Sequence, residues 1–430
     1  MTSPSPVRTP ERPSGRRMLG LLLPLSLFAI WGVARLPFHP DETSWLYMSR
    51  DFETWLTRPW ALAWNPARES DPEQNYRELN APAAKYVIGL ARWLSGIPAN
   101  SVNVDWDWSK TWGENQQRGA LPSPRVVWPA RLGITLLLPI SLALLYRTTR
   151  RVGGEIGGLS AALLLGLNGL TLLHDRRAMA EGALTLGMAL SLGGMLASGR
   201  RPWLAGATIA FAISAKQSLA ALLPVGLLAA LWPPGNGSAR TLGSRLARFA
   251  ISFALAFWLL NPILWSQPFG ALRAMLRARE ALLREQAAAI ESVSPGYALS
   301  TPDERLAALV AHTFFTPPAF EELTNYLSET AAEKATYLAM PGHNLLREFV
   351  GGGVILILML FGLGLAGLRV ARASRLLRRG LILLLLTTFA QAASLIAAVP
   401  LPFQRYYLPL LPLACLWAGY GLGSLRRSRL

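Results

Sequence analysis

The stretch MLGLLLPLSLFAIWGVARLPFHPDE, residues 18–42, decides the fold class. Residues 18–37 are predominantly apolar and number about 20, which is enough to cross a bilayer as a helix. Two adjacent carboxylates, Asp41 and Glu42, follow and would lie where that helix leaves the membrane. A carboxylate pair at this position is a candidate chemical site. In the alternative interpretation, Asp41 and Glu42 only cap the next predicted helix, Thr43 to Trp55, because acids favour a helix N-terminus.

The composition extends the membrane interpretation to the whole chain. Of its 430 residues, 52% are hydrophobic, and several further apolar runs reach about 17 to 22 residues, more than a soluble core requires. The net charge is +17, but the arginines cluster in short segments between the apolar runs, as the positive-inside rule requires. The charge therefore indicates membrane topology and contact with anionic lipid headgroups, and no nucleic-acid partner is expected. Cys415, the only cysteine, is expected to pack in the last apolar run.

Threading the chain through the bilayer predicts an all-α polytopic membrane protein with about ten transmembrane helices and both termini in the cytoplasm. The first run is interpreted as an uncleaved helix, since it is as long as a span and residues 32–36 lack a small-x-small cleavage site. The weakest pair of spans is the short helices 5 and 6, Trp203 to Ala215 and Ser218 to Trp232. The predicted parts are a basic cytoplasmic N-terminus (1–17), an N-terminal membrane module (18–265) whose large first external loop (38–125) carries interfacial helices, an external helical segment between helices 7 and 8 (266–349), and C-terminal membrane helices with a basic tail (350–430).

This topology places the candidate site residues together on the external side, where charge near lipid is costly unless it is paired or binds a ligand. A structural network of salt bridges is the alternative explanation. The apolar runs themselves are expected to be free of charge, which argues against a transporter. The candidates are Asp41, Glu42, Lys85, His174, Asp175, Arg176, Arg177, Glu181, Lys216, Arg405 and Tyr406.

Two cations among these candidates suit an anionic ligand. Lys85 lies on a helix that Pro82 starts, near the headgroup level, and would either snorkel to lipid or hold a phosphate. Arg405 would lie on the outer side against the inside bias, so it needs an external anion, for which a phosphate ester is a natural partner. Arg177 and Glu181 are four residues apart, a spacing that on its own indicates an ion pair that stabilises a helix.

Other motifs are less specific. The segment Asp105-Trp106-Asp107 is similar to the aspartate pair that holds a metal and a nucleotide sugar in soluble glycosyltransferases, but it lacks their Rossmann-type context. His39 or His174 could join carboxylates around a divalent metal ion, although no recognisable ligand spacing occurs. Metal dependence therefore stays open. A P-loop is absent from the sequence.

The order of these motifs resembles the C-type-fold membrane glycosyltransferases, and especially the dolichyl-phosphate-mannose protein mannosyltransferase family and its bacterial relatives, including aminoarabinose transferases. The resemblance covers about residues 18 to 420. Two departures are the Ala81-Pro82 start of the first-loop helix, where the family usually has Pro-Pro, and Glu181, where it usually has aspartate. The matching pieces are His39-Pro40-Asp41-Glu42, Ala81-Pro82-Ala83-Ala84-Lys85-Tyr86, Arg177-Ala178-Met179-Ala180-Glu181, Asn261-Pro262 through Trp265, and Arg405-Tyr406-Tyr407-Leu408-Pro409.

The resemblance implies a glycosyltransferase that moves a hexosyl or pentosyl group from a polyprenyl-phosphate donor to a lipid, glycan or protein acceptor. Asp41 would act as general base or orient the acceptor, Lys85 and Arg405 would bind phosphate, and Glu42 and Arg177 would support them. A phosphate leaving group permits a single inverting displacement. The alanine- and arginine-rich composition and the absence of organelle-targeting signals suggest a bacterial inner membrane, and the topology places the active site on its external side. A transporter and a non-catalytic scaffold for envelope glycan assembly are the alternative functions.

Overall fold

The structure is a computed structural model that describes residues 15–233, 239–320 and 326–427. Within these ranges every regular element is helical, and no strand occurs. Residues 1–14 of the predicted basic N-terminus and residues 428–430 of the basic tail lie outside the described residues. The α-helices are α1 Gly15–Val33, α2 Pro40–Met48, α3 Asp51–Thr57, α4 Pro72–Leu79, α5 Pro82–Leu94, α6 Trp112–Gln117, α7 Pro124–Thr135, α8 Leu137–Leu167, α9 Gly169–Asp175, α10 Glu181–Ala197, α11 Pro202–Ala215, α12 Leu222–Leu231, α13 Ala239–Leu260, α14 Pro268–Val293, α15 Pro302–Val310, α16 Ala331–Leu338, α17 Glu348–Val370, α18 Arg375–Ala398 and α19 Leu410–Arg427.

The apolar helices make this a multi-pass membrane protein. In the described part of the chain, five stretches are long and apolar enough to span a bilayer: α1, the continuous stretch α7–α8, α13, α17 and α18. Helices α10, α11 and α12 are apolar but shorter; α11 has 14 residues and α12 has 10, against the roughly 20 that a straight span needs. Every predicted span overlaps a helix, but the count of ten spans remains a prediction.

Helix α8 changes direction at Gly154, which has φ +76° and interrupts the helical backbone. A Cβ placed on Gly158 would lie 2.7 Å from the carbonyl oxygen of Tyr146, although twelve residues of straight helix would separate them by about 18 Å. The Tyr146 hydroxyl also donates to Glu155 Oε1 at 2.9 Å. The chain therefore folds back here, at the turn expected between predicted helices 2 and 3.

The core is held by close contacts between helix backbones at glycines. A Cβ on Gly419 of α19 would lie 2.4 Å from the carbonyl oxygen of Gly157 in α8, and a Cβ on Gly423 would lie 2.0 Å from that of Gly153. Both helices thus present glycines four residues apart, the spacing that lets membrane helices approach closely. Fully buried leucines on both sides, for example Leu142 and Leu416, complete the contact.

The two predicted external segments meet each other. Helix α2 contacts α5 and α7, and α4 contacts α14. The helical character expected for residues 266–349 appears as α14, α15 and α16. The first loop and the second external segment therefore pack together through α4 and α14.

Candidate functional site

The site begins at the N-terminus of α2, which a capping box organises. His39 is the N-cap; its Nδ1 accepts the backbone N–H of Asp41 at 3.1 Å, and its own N–H donates to Glu42 Oε2 at 3.2 Å. Pro40 suits the first helical position because that N–H needs no partner. Burial, followed by the positive charge of Arg177, lowers the pKa of His39 well below its usual value. A neutral imidazole fits the role of Nδ1 as an acceptor.

Glu42 is fully buried and completely engaged with protein groups. Arg131 Nε donates to Oε1 at 2.7 Å and Arg131 Nη2 donates to Oε2 at 2.6 Å, a bidentate pair. The backbone N–H of Ala178 adds a third bond to Oε1 at 2.9 Å. Arg131 also donates to the carbonyl oxygen of Leu36 at 2.8 Å. Glu42 therefore ties together the end of α1, α7 and the turn before α10.

Asp41, its sequence neighbour, is partly open. Its carboxylate is 20% exposed and Oδ2 accepts a hydrogen bond from Arg405 Nη1. Arg405 lies in a short 3₁₀ turn, Gln404–Tyr407, and its guanidinium stands 5.9 Å from the ring centres of Phe403 and Tyr406. An accessible carboxylate next to a stacked arginine is a suitable place for acid–base chemistry beside an anion.

A buried polar cluster lies close to this ion pair. Lys216 Nζ forms an ion pair with Glu181 Oε1, and Thr185 Oγ1 donates to Asp175 Oδ1 at 3.1 Å. His174 is 2% exposed. Among the described residues, neither His174 ring nitrogen, nor Glu181 Oε2, nor Asp175 Oδ2 has a hydrogen-bond partner. Buried polar atoms in this state commonly mark sites completed by water or a ligand.

The two adjacent arginines are anchored differently. Arg176 is fully buried and donates to the carbonyl oxygens of Phe28 at 2.8 Å and Ala29 at 2.9 Å. It therefore holds α1 in place, with Gly32 leaving room for its guanidinium. Arg177 donates to the carbonyl oxygen of Phe320. Its charge nevertheless contributes to the low pKa of His39, so it belongs to the electrostatics of the site.

Lys85 lies in a second cluster, centred on Asp51. Lys85 Nζ is 2.6 Å from Asp51 Oδ2, and Arg77 Nη2 is 2.8 Å from Asp51 Oδ1. Burial alone would raise the pKa of Asp51, but the charges of Lys85 and Arg77 outweigh it and hold that pKa below its usual value. Lys85 and Arg405 thus have different acidic partners. A small pocket at Lys85 is also lined by Asn261 and Pro262, so two separate sequence motifs meet there.

Three charged residues of these clusters were missed by sequence reasoning: Asp51, Arg77 and Arg131. The expectation of charge-free apolar runs was wrong for the run 126–146, because it contains Arg131. A single arginine inside a predicted span is a signal that could have identified the partner of Glu42. No local signal in the sequence pairs Asp51 with Lys85, which lie 34 positions apart.

The described residues do not form a metal site. Within 15–233, 239–320 and 326–427, no three His, Cys, Asp or Glu side chains are grouped so that they could hold a metal ion. The groups nearest Asp41 are cationic or already bonded, namely Arg405 and the N-cap His39.

The chain is similar to known proteins in part of its sequence and in its fold. Residues 73–264 match the model of the dolichyl-phosphate-mannose-protein mannosyltransferase family. No curated protein sequence matches the chain significantly. Among solved structures, the archaeal oligosaccharyltransferase AglB from Archaeoglobus fulgidus, in complex with an inhibitory peptide and a dolichol-phosphate, superposes with a TM-score of 0.53 at 12% identity, covering 96% of this chain and 51% of that one. Its apo form gives 0.54 at 12% identity, with 96% and 51% coverage.

A weaker overlap, with a TM-score of 0.45 at 14% identity, occurs with ArnT from Cupriavidus metallidurans bound to undecaprenyl phosphate, covering 96% of this chain and 60% of that one. The chain spans about half the length of the oligosaccharyltransferase. The sequence match to residues 73–264 and the structural match to the oligosaccharyltransferase are independent and agree with each other. The chain has the fold of the C-type membrane glycosyltransferases, and its residues 73–264 resemble the dolichyl-phosphate-mannose-protein mannosyltransferase family.

Proposed function

We propose that this protein is a glycosyltransferase that moves a sugar from a polyprenyl-phosphate donor to an acceptor hydroxyl. The observation that carries the proposal is the ion pair between Asp41 and Arg405, an accessible carboxylate held against a cation from the other end of the chain. The family match, and the dolichol-phosphate bound to the oligosaccharyltransferase of similar fold, support the donor class. The acceptor belongs to the lipid, glycan or protein class.

Asp41 and Arg405 divide the chemistry between them. Before substrate binds, Arg405 donates to Asp41. A donor phosphate competes for the same guanidinium, because planar N–H pairs match phosphate oxygens well. The exchange releases the Asp41 carboxylate, which then accepts the proton of the acceptor hydroxyl. The hydroxyl oxygen bonds to the anomeric carbon, the bond from that carbon to the phosphate oxygen breaks, and the lipid phosphate leaves with inversion at the sugar.

The remaining site residues support this step. Lys85 would bind the donor phosphate from its pocket, next to Asn261 and Arg77. Arg177 adds positive charge near Asp41, and the buried groups His174, Asp175, Glu181 and Lys216 would receive hydroxyl groups of the transferred sugar. Glu42 and Arg176 hold α1 and α2 in position through buried bonds. Lys85 and Arg405 would stabilise the negative charge that builds up on the phosphate as it leaves the sugar, because they are already held in place by the fold.

The proposal includes a location. The site would face the external side of a bacterial inner membrane, with both termini in the cytoplasm, because the arginine-bearing loops then obey the positive-inside rule. Membrane lipids would surround the exposed apolar faces of helices such as α17 and α18.

The proposal is tested by Asp41→Asn in the purified full-length protein. A general base contributes roughly a hundredfold to ten-thousandfold in rate, so transfer of radiolabelled sugar from polyprenyl phosphate into product should fall by that factor. The matched control is Asp303→Asn, because Thr301-Pro302-Asp303-Glu304 forms a second capping box of the same pattern on an exposed helix. Near-normal turnover in Asp41→Asn would refute the role of the base.

Arg405 is tested separately. Arg405→Lys should weaken use of the donor and Arg405→Ala should weaken it further, because the guanidinium fork as well as its charge binds phosphate. Donor saturation and thermal unfolding are measured side by side. Unchanged donor affinity in Arg405→Ala, with loss only of stability, would remove Arg405 from the donor site.

A further inference from the structure

An aromatic row lies between the exposed first loop and His39. The ring centres are separated by 5.6 Å for Trp112 and Trp106, 6.3 Å for Trp106 and Trp108, 6.3 Å for Trp108 and Tyr326, and 5.9 Å for Tyr326 and His39. Neighbouring rings are tilted or perpendicular, the arrangement that aromatic pairs prefer. The row therefore leads without a gap to the residue that caps Asp41.

The row contains an exposed ring, Trp108, between two buried rings, Trp106 and Tyr326. Trp108 is 40% exposed and Trp112 is partly exposed, whereas Trp106 and Tyr326 are 4% and 1% exposed. A buried ring under an exposed ring holds the exposed one rigidly. Trp108 thus presents an apolar ring to the medium with little freedom to lose when it binds something.

Unpartnered polar atoms accompany the rings. Among the described residues, Asn103 Oδ1, Asp105 Oδ1, Trp106 Nε1 and Thr43 Oγ1 are buried and have no hydrogen-bond partner. Asn103 lies next to Thr43, since Asn103 Nδ2 donates to the carbonyl oxygen of Thr43 at 3.2 Å, and Asp105 and Trp106 follow Asn103 within three residues. An unmet buried polar group costs roughly 1 to 3 kcal/mol. A ligand that supplies several closely spaced donors and acceptors would remove this cost.

We propose that Trp108 and the segment 103–112 form the binding subsite for a saccharide acceptor of the reaction. The inference rests on the proposed function and narrows its acceptor from three classes to one. A sugar ring offers C–H faces that pack on an indole and adjacent hydroxyls that both donate and accept, so it matches the exposed ring and the unpartnered atoms together. The row ends at His39, next to the proposed base Asp41.

Two other occupants fit the surface less well. A peptide that binds by strand addition would need a sheet edge, and the described ranges contain no strand. An anionic bilayer surface attracts basic segments, whereas the loop around Trp108 is not basic. It carries Asp105, Asp107 and Glu114 against Lys110 and Arg118, and Arg118 is paired to Asp107 at 2.8 Å. Peptide binding and lipid binding are therefore outcomes of the test.

The experiment measures binding without the donor. The full-length protein in detergent, labelled with 5-fluorotryptophan, is titrated with the methyl glycosides of mannose, glucose, galactose and N-acetylglucosamine, and fluorine resonances are followed by NMR. The Trp108 resonance is assigned by its loss in Trp108→Phe. It should shift saturably with at least one glycoside, both in the otherwise wild-type protein and in Asp41→Asn. In Trp108→Ala binding should weaken about threefold to tenfold, the order of one lost ring contact.

The control is Trp203→Ala, which removes an exposed tryptophan from α11 and should leave glycoside binding unchanged. A Trp108 resonance that responds to a serine-containing peptide or to anionic lipid, and to no glycoside, would overturn the proposal. Glycoside binding without any transfer would refute the proposed function while supporting this subsite. Transfer to a saccharide with the same acceptor KM in Trp108→Ala and wild type would refute the subsite while supporting the function.

Discussion

Replacing Glu42 by glutamine separates a structural from a catalytic role of the second acid in the α2 capping box. The carboxylate is 0% exposed and accepts two hydrogen bonds from Arg131 and one from Ala178 N–H. The amide cannot neutralise the guanidinium, so a buried charge is left uncompensated. Removing one partner of a buried ion pair costs roughly 3 to 5 kcal/mol, a large part of the roughly 5 to 15 kcal/mol that holds a typical domain together.

Denaturant unfolding of the detergent-solubilised protein, followed by tryptophan fluorescence, measures this cost. Glu304→Gln is the matched control, because Glu304 occupies the same capping-box position on α15 and is exposed. It should unfold at nearly the wild-type midpoint. Arg131→Met combined with Glu42→Gln should recover much of the lost stability, because neither charge is then buried alone.

Activity measured under conditions where the variant is folded completes the test. We expect Glu42→Gln to keep much of the wild-type turnover per folded molecule, in contrast to Asp41→Asn. A variant that unfolds like wild type yet loses a hundredfold in rate would refute the structural assignment. Glu42 would then have a direct part in the reaction.

Two further predictions concern the fold. Gly423→Ala should lower the free energy of unfolding by roughly 1 to 3 kcal/mol, because the new Cβ would lie 2.0 Å from the carbonyl oxygen of Gly153. Gly364→Ala is the control, because a Cβ there would have nothing within 4 Å. Equal unfolding midpoints for the two variants would contradict the glycine contact. In a Cys415→Ala background, a cysteine at Ser292 should react with an impermeant thiol reagent in intact spheroplasts and one at Ser374 should not. Reversed labelling would place the proposed site in the cytosol.

The helices could be predicted well because their signals are local. The expected spans 350–370 and 182–198 correspond to Glu348–Val370 and Glu181–Ala197. Apolar length, proline starts and arginine-rich ends act within one helix, so the sequence contains them completely. The capping interpretation is confirmed for Glu42, whose carboxylate accepts the N–H of His39. It is wrong for Asp41, whose carboxylate bonds to Arg405. The single helix expected from Thr43 to Trp55 is two helices, Pro40–Met48 and Asp51–Thr57.

The pairing of charges could not be predicted in the same way. Lys85 and Arg405 were both expected to bind phosphate, but nothing in the sequence indicates that Lys85 pairs with Asp51 and Arg405 with Asp41. Each pair joins residues at least 34 positions apart. Which cation reaches which acid depends on how helices pack, and no periodicity or motif in one segment encodes that distance.

Two of the three capping boxes among the described residues illustrate the division. In His39-Pro40-Asp41-Glu42 and in Thr301-Pro302-Asp303-Glu304 the glutamate accepts the N–H of the N-cap residue. The N-cap side chain in turn accepts a backbone N–H of the first turn, that of Asp41 in the first box and that of Glu304 in the second. The sequence by itself determined these bonds because both partners lie within four residues. Only the tertiary structure makes the first box a candidate site, by placing Arg131 and Arg405 against its two carboxylates, while the second stays exposed. The physical reason is that the chemistry of a carboxylate changes with its burial and with the counter-charge beside it. Both arise only when the chain packs and brings an arginine from a distant part of the sequence into contact.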